Sequence, residues 1–171
     1  MSDRFTIRRA RSEDVEKIFE LIKTLAEYEK LSDAVTGNAD VLKEHLFGSK
    51  QYAEAIVAEW EGLIVGFALF FSNYSTFLTK PGIYLEDLFV LPEYRRKGIG
   101  KALLIYLANL AIDRDAGRLE WSVLDWNSSA IAFYETMGAK VLPDWRICRV
   151  SGNSLVNLAS KSQLEDTQQN D

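Results

Sequence analysis

The pattern of apolar and polar residues predicts a chain in which strands and helices follow one another. Residues 5–8 alternate as a strand does, and residues 12–28 repeat apolar side chains at the spacing of one helix face. A shorter helix is expected from about residue 38 until Gly48 ends it. Residues 53–59 and 63–73 have a strand-like composition and are separated by Trp-Glu-Gly, which predicts a hairpin.

The second half of the chain continues this alternation. Two helices are predicted at residues 98–114 and about 128–138, and four strands at residues 83–90, 119–124, 146–150 and 154–159. The strands at 83–90 and 119–124 flank a helix, so they are expected to run parallel. The predicted fold class is α/β, with a mixed, mostly antiparallel sheet, a central parallel strand pair and flanking helices.

Composition and charge narrow the classes of protein that remain. Hydrophobic residues are 47% of the 171 positions, and 20 basic against 25 acidic residues leave a net charge of −5. This acidic balance lacks the basic footprint of a nucleic-acid-binding domain, so no nucleic acid is expected as a partner. Cys148 is the single cysteine, and the sequence shows neither a signal-peptide pattern nor an apolar run long enough to span a membrane. These features predict a soluble, cytoplasmic protein without membrane contact.

The same residues predict one domain at 1–160 and a polar C-terminal tail at 161–171. The only histidine, His45, has no Cys, His or acidic neighbours at ligand spacing, so no metal is expected.

The most informative stretch is a glycine-bearing loop between a predicted buried strand and a long helix. It consists of Arg95, Arg96, Lys97, Gly98, Ile99, Gly100 and Lys101. Free N–H groups at a helix start bind anions, and glycine lets the backbone approach a phosphate closely. The spacing matches neither the phosphate-binding GxxxxGK[ST] motif nor the dinucleotide-binding GxGxxG motif. Spacing alone would equally fit an ordinary helix start.

Two segments resemble motifs of the GNAT superfamily of N-acetyltransferases. Arg95-x-x-Gly98-x-Gly100 follows Leu-Phe-Val-Leu-Pro and resembles the family's acetyl-CoA loop. Asn127-x-x-Ala-Ile-x-Phe-Tyr134-x-x-x-Gly138-Ala139 is similar to its later motif. Within the family, the chain is most similar to the diamine and polyamine acetyltransferases, through Leu-Ala-Glu-Tyr-Glu at 25–29, Tyr-Leu-Glu-Asp at 84–87, Asp-Trp-Asn at 125–127 and Asp-Trp-Arg at 144–146.

This resemblance implies acetyl-CoA as co-substrate, no metal, a small-molecule amine substrate and a homodimer. The backbone at Leu88, Phe89 and Val90 is expected to hold the pantetheine arm. The residues 95–101 listed above are expected to hold the pyrophosphate, together with contacts from Asn127 and Ala130. Arg96-Lys97 stands where the family often has glycine or another small residue. Tyr134 takes the family position of the general acid, and the amine-site positions fall on Tyr28, Glu29, Glu86, Glu120, Trp121, Ser122 and Asp144.

The chemistry of acetyl transfer to an amine also requires carboxylates. An alkylamine is mostly ammonium at neutral pH, so a site must bind the cation and take a proton from it before transfer, and carboxylates do both. Glu86 and Asp87 are adjacent acids inside an apolar run, which a period-2 strand sends to opposite faces. Glu86 is expected to act on the amine, directly or through water, whereas Asp87 is interpreted as pairing with a buried arginine or capping a loop.

Several of these residues also have plain structural explanations. Periodicity alone makes Phe133 and Tyr134 core aromatics, and Tyr28 with Glu29 could equally end a helix at the surface.

The sequence therefore predicts an acetyl-CoA-dependent transfer of acetyl to a primary amine of a diamine or polyamine, by direct attack in a ternary complex. An alternative substrate is a lysine-like amino acid such as thialysine, whose carboxylate would need a cation; Arg146 is a candidate. A third possibility is a catalytically idle CoA-binding module.

Overall fold

The computed structural model describes residues 4–161. The described elements are β1 (Phe5–Arg9), α1 (Val15–Tyr28), α2 (Ala39–Phe47), β2 (Glu54–Trp60), β3 (Leu63–Ser75), β4 (Lys80–Val90), α3 (Ile99–Asp113), β5 (Leu119–Trp121), α4 (Ser128–Thr136) and α5 (Gly152–Ala159). The chain divides into two compact units, Met1–Asn127 and Ser128–Asp171, and each is described by itself.

The five strands of the first unit form one sheet in the order β1-β2-β3-β4-β5. Neighbouring strands are antiparallel except for the parallel pair β4 and β5. This confirms the α/β class and the mixed, mostly antiparallel sheet. The parallel pair lies at one edge of the sheet. Between β2 and β3, Glu61 and Gly62 have φ values of 48° and 85°. Two left-handed residues in a row form the tight turn that matches strand twist, so the predicted hairpin is present.

Helices cover the two faces of the sheet. On one face, α1 contributes Val15, Ile18 and Leu21 to a core cluster with β2, β3 and β4 residues that include Val57, Phe67, Leu69 and Phe89. Alternate residues of the same strands, among them Ile56, Ala68 and Phe70, are buried as well. Because side chains alternate along a strand, those residues occupy the opposite face. The long helix α3, which packs on the sheet, supplies buried Ile99, Leu103, Leu104 and Leu107.

β4 contains one residue more than the part of β3 that it pairs with. Leu69 lies opposite Asp87, and Phe70 lies opposite Leu85, so Glu86 is the extra residue of a β-bulge. A bulge bends its strand, increases the local twist and re-aims side chains. The bulge also changes which side chains of β4 share a face of the sheet. Tyr84 lies opposite Phe71 and Asp87 lies opposite Leu69, and Phe71 and Leu69 are on one face of β3. Tyr84 and Asp87 therefore lie on the same face, although they are three residues apart.

The bulge also marks the end of the parallel pairing. β5 pairs with β4 at three positions, Ile83, Leu85 and the Tyr84 between them. From Asp87 onward β4 pairs with β3 alone in the described sheet. The backbone edge of Leu88 to Val90 that faces away from β3 therefore has no strand partner in the described sheet.

The sequence prediction was wrong for the last two strands. Residues 146–150 form no strand, and residues 154–159 lie within helix α5, Gly152–Ala159. The short run Leu155-Val156-Asn157-Leu158 has adjacent apolar residues instead of strict alternation, and such runs do not distinguish strand from helix. The strand predicted at 119–124 is present but ends at Trp121. Helix α4 ends shortly before Gly138, which has the left-handed φ of 88° expected of a helix stop.

No helix in the described part of the chain is both long and apolar enough to cross a membrane. The single domain at 1–160 stays a prediction. Of the predicted tail at 161–171, all but Lys161 lies outside the described residues.

Candidate functional site

The edge of β4 without a strand partner leads directly into the glycine loop. Arg96 and Gly98 both have left-handed backbone conformations, with φ values of 62° and 84°. The first hydrogen bond of α3 runs from Ala102 N–H to Gly98 O at 2.9 Å, so the N–H groups of Ile99, Gly100 and Lys101 precede the helical ladder. A Cβ built on Gly98 meets no atom within 4 Å, so the space beside the loop is open. The loop and the strand edge fit the phosphate and pantetheine parts of acetyl-CoA.

Two cations of the predicted cofactor site are held by aromatic rings. The Arg95 Nε donates to Val90 O at 2.9 Å, and its guanidinium carbon lies 4.7 Å from the Tyr28 ring centre and 5.4 Å from that of Phe89. The Lys97 ammonium lies 4.8 Å from the Trp60 ring centre and 5.1 Å from that of Tyr94.

Cations above ring faces are attracted by the ring quadrupole, so these contacts fix both side chains. Arg96, Lys97 and Lys101 are all exposed, whereas Arg95 is half-buried.

Three carboxylates lie near one another where α1 ends and β4 bulges: Glu29, Glu86 and Asp87. Burial, and then the charges of Glu86 and Glu29, raise the pKa of Asp87 to about 6. Burial also raises the pKa of Glu29. None of the three forms a salt bridge with any residue that the structure describes. We refer to these three residues as the acidic cluster.

The acidic cluster corrects the interpretation of Asp87. A buried arginine partner was expected for it, yet no arginine in residues 4–161 pairs with this half-buried carboxylate. Burial, and after it the like charges of its neighbours, disfavour ionisation and keep its pKa high. A carboxylic acid inside an apolar strand was the available sequence signal, but the sequence could not show which partner it would meet. Asp87 therefore joins the candidate site beside Glu86.

Aromatic side chains border the acidic cluster. Tyr28, next to Glu29, lies 6.4 Å ring to ring from Trp126, and both side chains are exposed, at 42% and 52%. The Tyr28 hydroxyphenyl ring thus contacts Arg95 as well as Trp126. The sequence motif predicted Tyr28, and the structure adds Trp126 as a second aromatic wall.

Two of the candidates at and just after β5, Glu120 and Ser122, already have hydrogen-bond partners. The Tyr84 hydroxyl and the Ser122 Oγ are 2.8 Å apart. The Glu120 Oε1 accepts from the Arg118 Nε at 2.7 Å and from the Asn73 Nδ2 at 3.2 Å. Glu120 is thus neutralised by Arg118, which leaves it less free to bind an ammonium group. Trp121 is half-buried within β5.

The remaining candidates lie at the end of the first unit or in the second. Asn127 N–H donates to Leu124 O at 2.9 Å and closes the turn that ends the first unit. In the second unit, Ala130 and Tyr134 are one turn apart on α4, and the Tyr134 ring lies 5.4 Å from that of Phe133. Asp144 is exposed and lies outside the regular elements. The roles of these four residues stay predictions.

Comparison with known proteins places the chain in a family. Residues 8–139 match the model of the Acetyltransferase (GNAT) family. The chain is 37% identical over 166 residues to the thialysine N-epsilon-acetyltransferase of Sus scrofa, a match that covers 91% of this chain and 97% of that protein.

It is also 53% identical over 93 residues to the L-ornithine N5-acetyltransferase NATA1 of Arabidopsis thaliana. This second match spans 54% of the chain and only 41% of that relative.

Solved structures agree on the fold. An integron cassette protein from the mobile metagenome of V. cholerae superposes with a TM-score of 0.77 at 26% identity, covering 92% of this chain and 99% of that one. The chain belongs to the GNAT family, as its motifs predicted, and family membership makes acetyl transfer to an amine its reaction class, with acetyl-CoA as the donor. The enzyme relatives support activity over an idle CoA-binding module.

The glycine loop yields a first test. Gly98→Ala should raise the KM for acetyl-CoA by about 5- to 30-fold, because a Cβ in the left-handed region costs about 1–2 kcal/mol and the loop would relax away from its anion-binding form. Steady-state kinetics with varied acetyl-CoA measures this.

The matched control is Gly62→Ala in the β2–β3 turn. Gly62 has a φ of 85° against 84° for Gly98, and a Cβ at either meets no atom within 4 Å. Both variants should lose similar stability, but Gly62→Ala should leave the KM for acetyl-CoA unchanged. Equal KM values for the two variants would remove Gly98 from the cofactor site.

The acidic cluster yields a second test, through pH. The ionised form of Asp87 attracts an ammonium group, and its pKa is about 6. Expressed per concentration of the ammonium form, which is the form that binds, kcat/KM should fall about tenfold per pH unit well below that value. Glu29→Gln should move the inflection to lower pH, because it removes a negative charge that disfavours ionisation of Asp87.

Asp87→Asn should abolish this fall of kcat/KM at low pH, the acid limb of the profile. The surface variant Asp115→Asn should leave the acid limb in place. A limb that persists unchanged in Asp87→Asn would assign the ionisation to another group.

Proposed function

We propose that this protein transfers the acetyl group of acetyl-CoA to the side-chain amine of a basic amino acid of the ornithine or thialysine type. The observation that carries the proposal is the similarity to a thialysine N-epsilon-acetyltransferase, which extends over 97% of that relative's length. The segment that is 53% identical to an L-ornithine N5-acetyltransferase points to the same substrate class. The relatives thus favour the amino-acid alternative over the polyamine substrate first expected.

The acidic cluster is suited to the first steps of this reaction. The substrate arrives as an ammonium ion, which the charges of Glu29, Glu86 and Asp87 attract. It must then lose a proton before its nitrogen can attack. We assign this proton to the adjacent pair Glu86 and Asp87 because Asp87, with a pKa of about 6, is poised close to neutral pH.

The edge of β4 without a strand partner and the glycine loop have the second task, which is to orient the donor. Acetyl-CoA supplies an activated acetyl group as a thioester. The edge of β4 along Leu88, Phe89 and Val90 that faces away from β3 binds the pantetheine arm by strand-like hydrogen bonds, through groups other than Val90 O, which already accepts from the Arg95 Nε. The N–H groups at the start of α3 bind its pyrophosphate. Transfer is then direct, from thioester to amine.

The departing thiolate needs a proton, and we assign its donor to Tyr134. The assignment rests on the motif from Asn127 to Gly138, which lies within the region matched by the family model. A tyrosine hydroxyl is protonated at neutral pH and can serve as a general acid. Homodimerisation and a cytoplasmic location also remain predictions.

A diamine or polyamine remains the second candidate substrate. The acidic cluster favours it, because several carboxylates without a neutralising cation would hold two ammonium groups along one chain. A substrate carboxylate would be repelled by the same charges unless a cation lay beside them.

The role of Tyr134 can be tested by removing one atom. Tyr134→Phe keeps the ring and deletes the hydroxyl, so kcat should fall by roughly 100-fold while the KM for acetyl-CoA and the melting temperature stay close to wild type. Pre-steady-state measurement must show that chemistry limits turnover. An unchanged kcat under that condition would return Tyr134 to a structural role.

The substrate class can be tested with a panel of amines. Ornithine, thialysine, lysine, spermidine and 1,4-diaminobutane are offered with acetyl-CoA, thiol release is followed, and products are identified by mass. We expect the highest kcat/KM with ornithine or thialysine, acetylated on the side-chain nitrogen. A clear preference for spermidine or the diamine would replace the amino-acid proposal with the polyamine one and leave acetyl transfer standing.

A further inference from the structure

The glycine loop must bind a flexible, highly charged cofactor, so its affinity depends on how well the loop is held before acetyl-CoA arrives. Two aromatic residues outside the loop contact one of its cations. We propose that Trp60 and Tyr94, which we call the aromatic pair, hold the loop in its cofactor-binding conformation through the Lys97 ammonium. This inference rests on the assignment of the loop to acetyl-CoA in the proposed function and names residues that position it.

The Lys97 ammonium lies close to both rings of the aromatic pair. Its distance to the ring centre is 4.8 Å for Trp60 and 5.1 Å for Tyr94, and the two rings meet edge to face with 5.7 Å between their centres. Trp60 also stacks on Phe5 of the neighbouring strand β1. Both rings of the pair are half-buried, so a cation attracted to their faces is drawn to a fixed position.

The loop needs such an anchor because its backbone has an unfavourable conformation. Arg96 has a φ of 62°, a left-handed value that is unfavourable for a residue with a Cβ. In the described part of the chain, the N–H groups of Arg96, Lys97 and Gly98 donate to no acceptor. A left-handed residue other than glycine persists only where the surrounding structure fixes it.

Side-chain contacts supply that fixation on both sides of Arg96. Arg95, which precedes it, is held by a hydrogen bond to the backbone and by two other aromatic rings. Lys97, which follows it, is held by the aromatic pair. The left-handed residue therefore lies between two anchored side chains, and the aromatic pair is the anchor next to Gly98 and the N–H groups that open α3.

The loss of this anchor has a specific kinetic consequence. Without the aromatic pair, the loop should spend more time in conformations that do not bind the cofactor. The apparent affinity then falls in proportion to the fraction of molecules that keep the binding conformation, whereas the complex that does form reacts at its normal rate. The aromatic pair should therefore affect the KM for acetyl-CoA and leave kcat unchanged.

The first experiment removes the ring of Trp60. In Trp60→Leu, the Kd for CoA measured by calorimetry and the KM for acetyl-CoA should both rise about 3- to 10-fold, the range of a weak cation–π contact, while kcat stays at the wild-type value. Trp60→Phe, which keeps a ring, should lie between Trp60→Leu and wild type.

Phe5→Leu is the matched control, because it removes the ring that stacks on Trp60 but no ring that contacts Lys97. It should leave both constants unchanged. An equal rise in Phe5→Leu and Trp60→Leu would mean a general loosening of this end of the sheet and would overturn the proposal.

A double-variant cycle tests whether Trp60 acts through Lys97. Lys97→Ala removes the ammonium that contacts the rings, so adding Trp60→Leu to it should cause no further rise in the KM for acetyl-CoA. Rises that multiply independently would contradict the proposed contact.

A second cycle tests the conformation of Arg96. In an Arg96→Gly background, where glycine adopts a positive φ readily, Trp60→Leu should raise the KM for acetyl-CoA less than it does in the wild type. Arg96→Ala loses the same charge but keeps a Cβ, so in that background the rise should equal the wild-type one. The same rise in both backgrounds would show that the aromatic pair does not support the left-handed residue.

Fluorinated tryptophans at position 60 test the ring face without removing the ring, which also covers a Trp60→Leu variant that fails to fold. Fluorine weakens the negative face of the indole and nearly keeps its shape, so the KM for acetyl-CoA should rise with each fluorine added. A KM independent of fluorination would count against the cation–π anchor.

Calorimetry separates this inference from the proposed function. Wild-type protein that binds no CoA would contradict the assignment of the loop, and the proposed function would fail with it. Wild-type protein that binds CoA with the same Kd as Trp60→Leu would overturn the role of the aromatic pair alone.

Discussion

One extra residue in β4 organises the candidate site. Because Glu86 has no partner on β3, the strand bends there and the side chains beyond it change face relative to those before it. Asp87 thereby shares a face with Tyr84, and the parallel pairing with β5 stops one residue earlier, at Leu85. The bulge thus lies at the point where the parallel pairing ends, between the acidic cluster and the strand edge at Leu88 to Val90 that has no strand partner in the described sheet.

The electrostatics around this bulge are incomplete without a ligand. Burial and mutual repulsion raise the pKa of Asp87 and burial raises that of Glu29, which means that the folded protein holds these groups at a cost. An ammonium ion would relieve that cost. Arg95, by contrast, is fixed on Val90 O and on two aromatic rings.

Local sequence signals predicted most elements of the first unit. Asn38 caps the start of α2 by accepting the Val41 N–H at 2.9 Å. The left-handed Glu61 and Gly62 close the β2–β3 hairpin. Both features depend only on residues close in the chain. The prediction of the last two strands, at residues 146–150 and 154–159, was wrong because an isolated apolar run does not specify its pairing partner. The bulge at Glu86 was missed for the same reason, since it exists only as a mismatch between two strands.

For the site, the sequence by itself determined the residue types and their order: a strand with two adjacent acids, then a basic loop with Gly98 before a helix, in a pattern that identifies the family. Those features are local, because a left-handed φ at Gly98 and free N–H groups at a helix start need no distant partner. Only the tertiary structure decided the rest. In the folded structure, Asp87 has no arginine partner among the described residues, and Glu120 pairs with Arg118. Arg95 and Lys97 of the glycine loop pack on aromatic rings. Such outcomes depend on which side chains meet across the sheet, and strand register and packing set those contacts over separations of tens of residues.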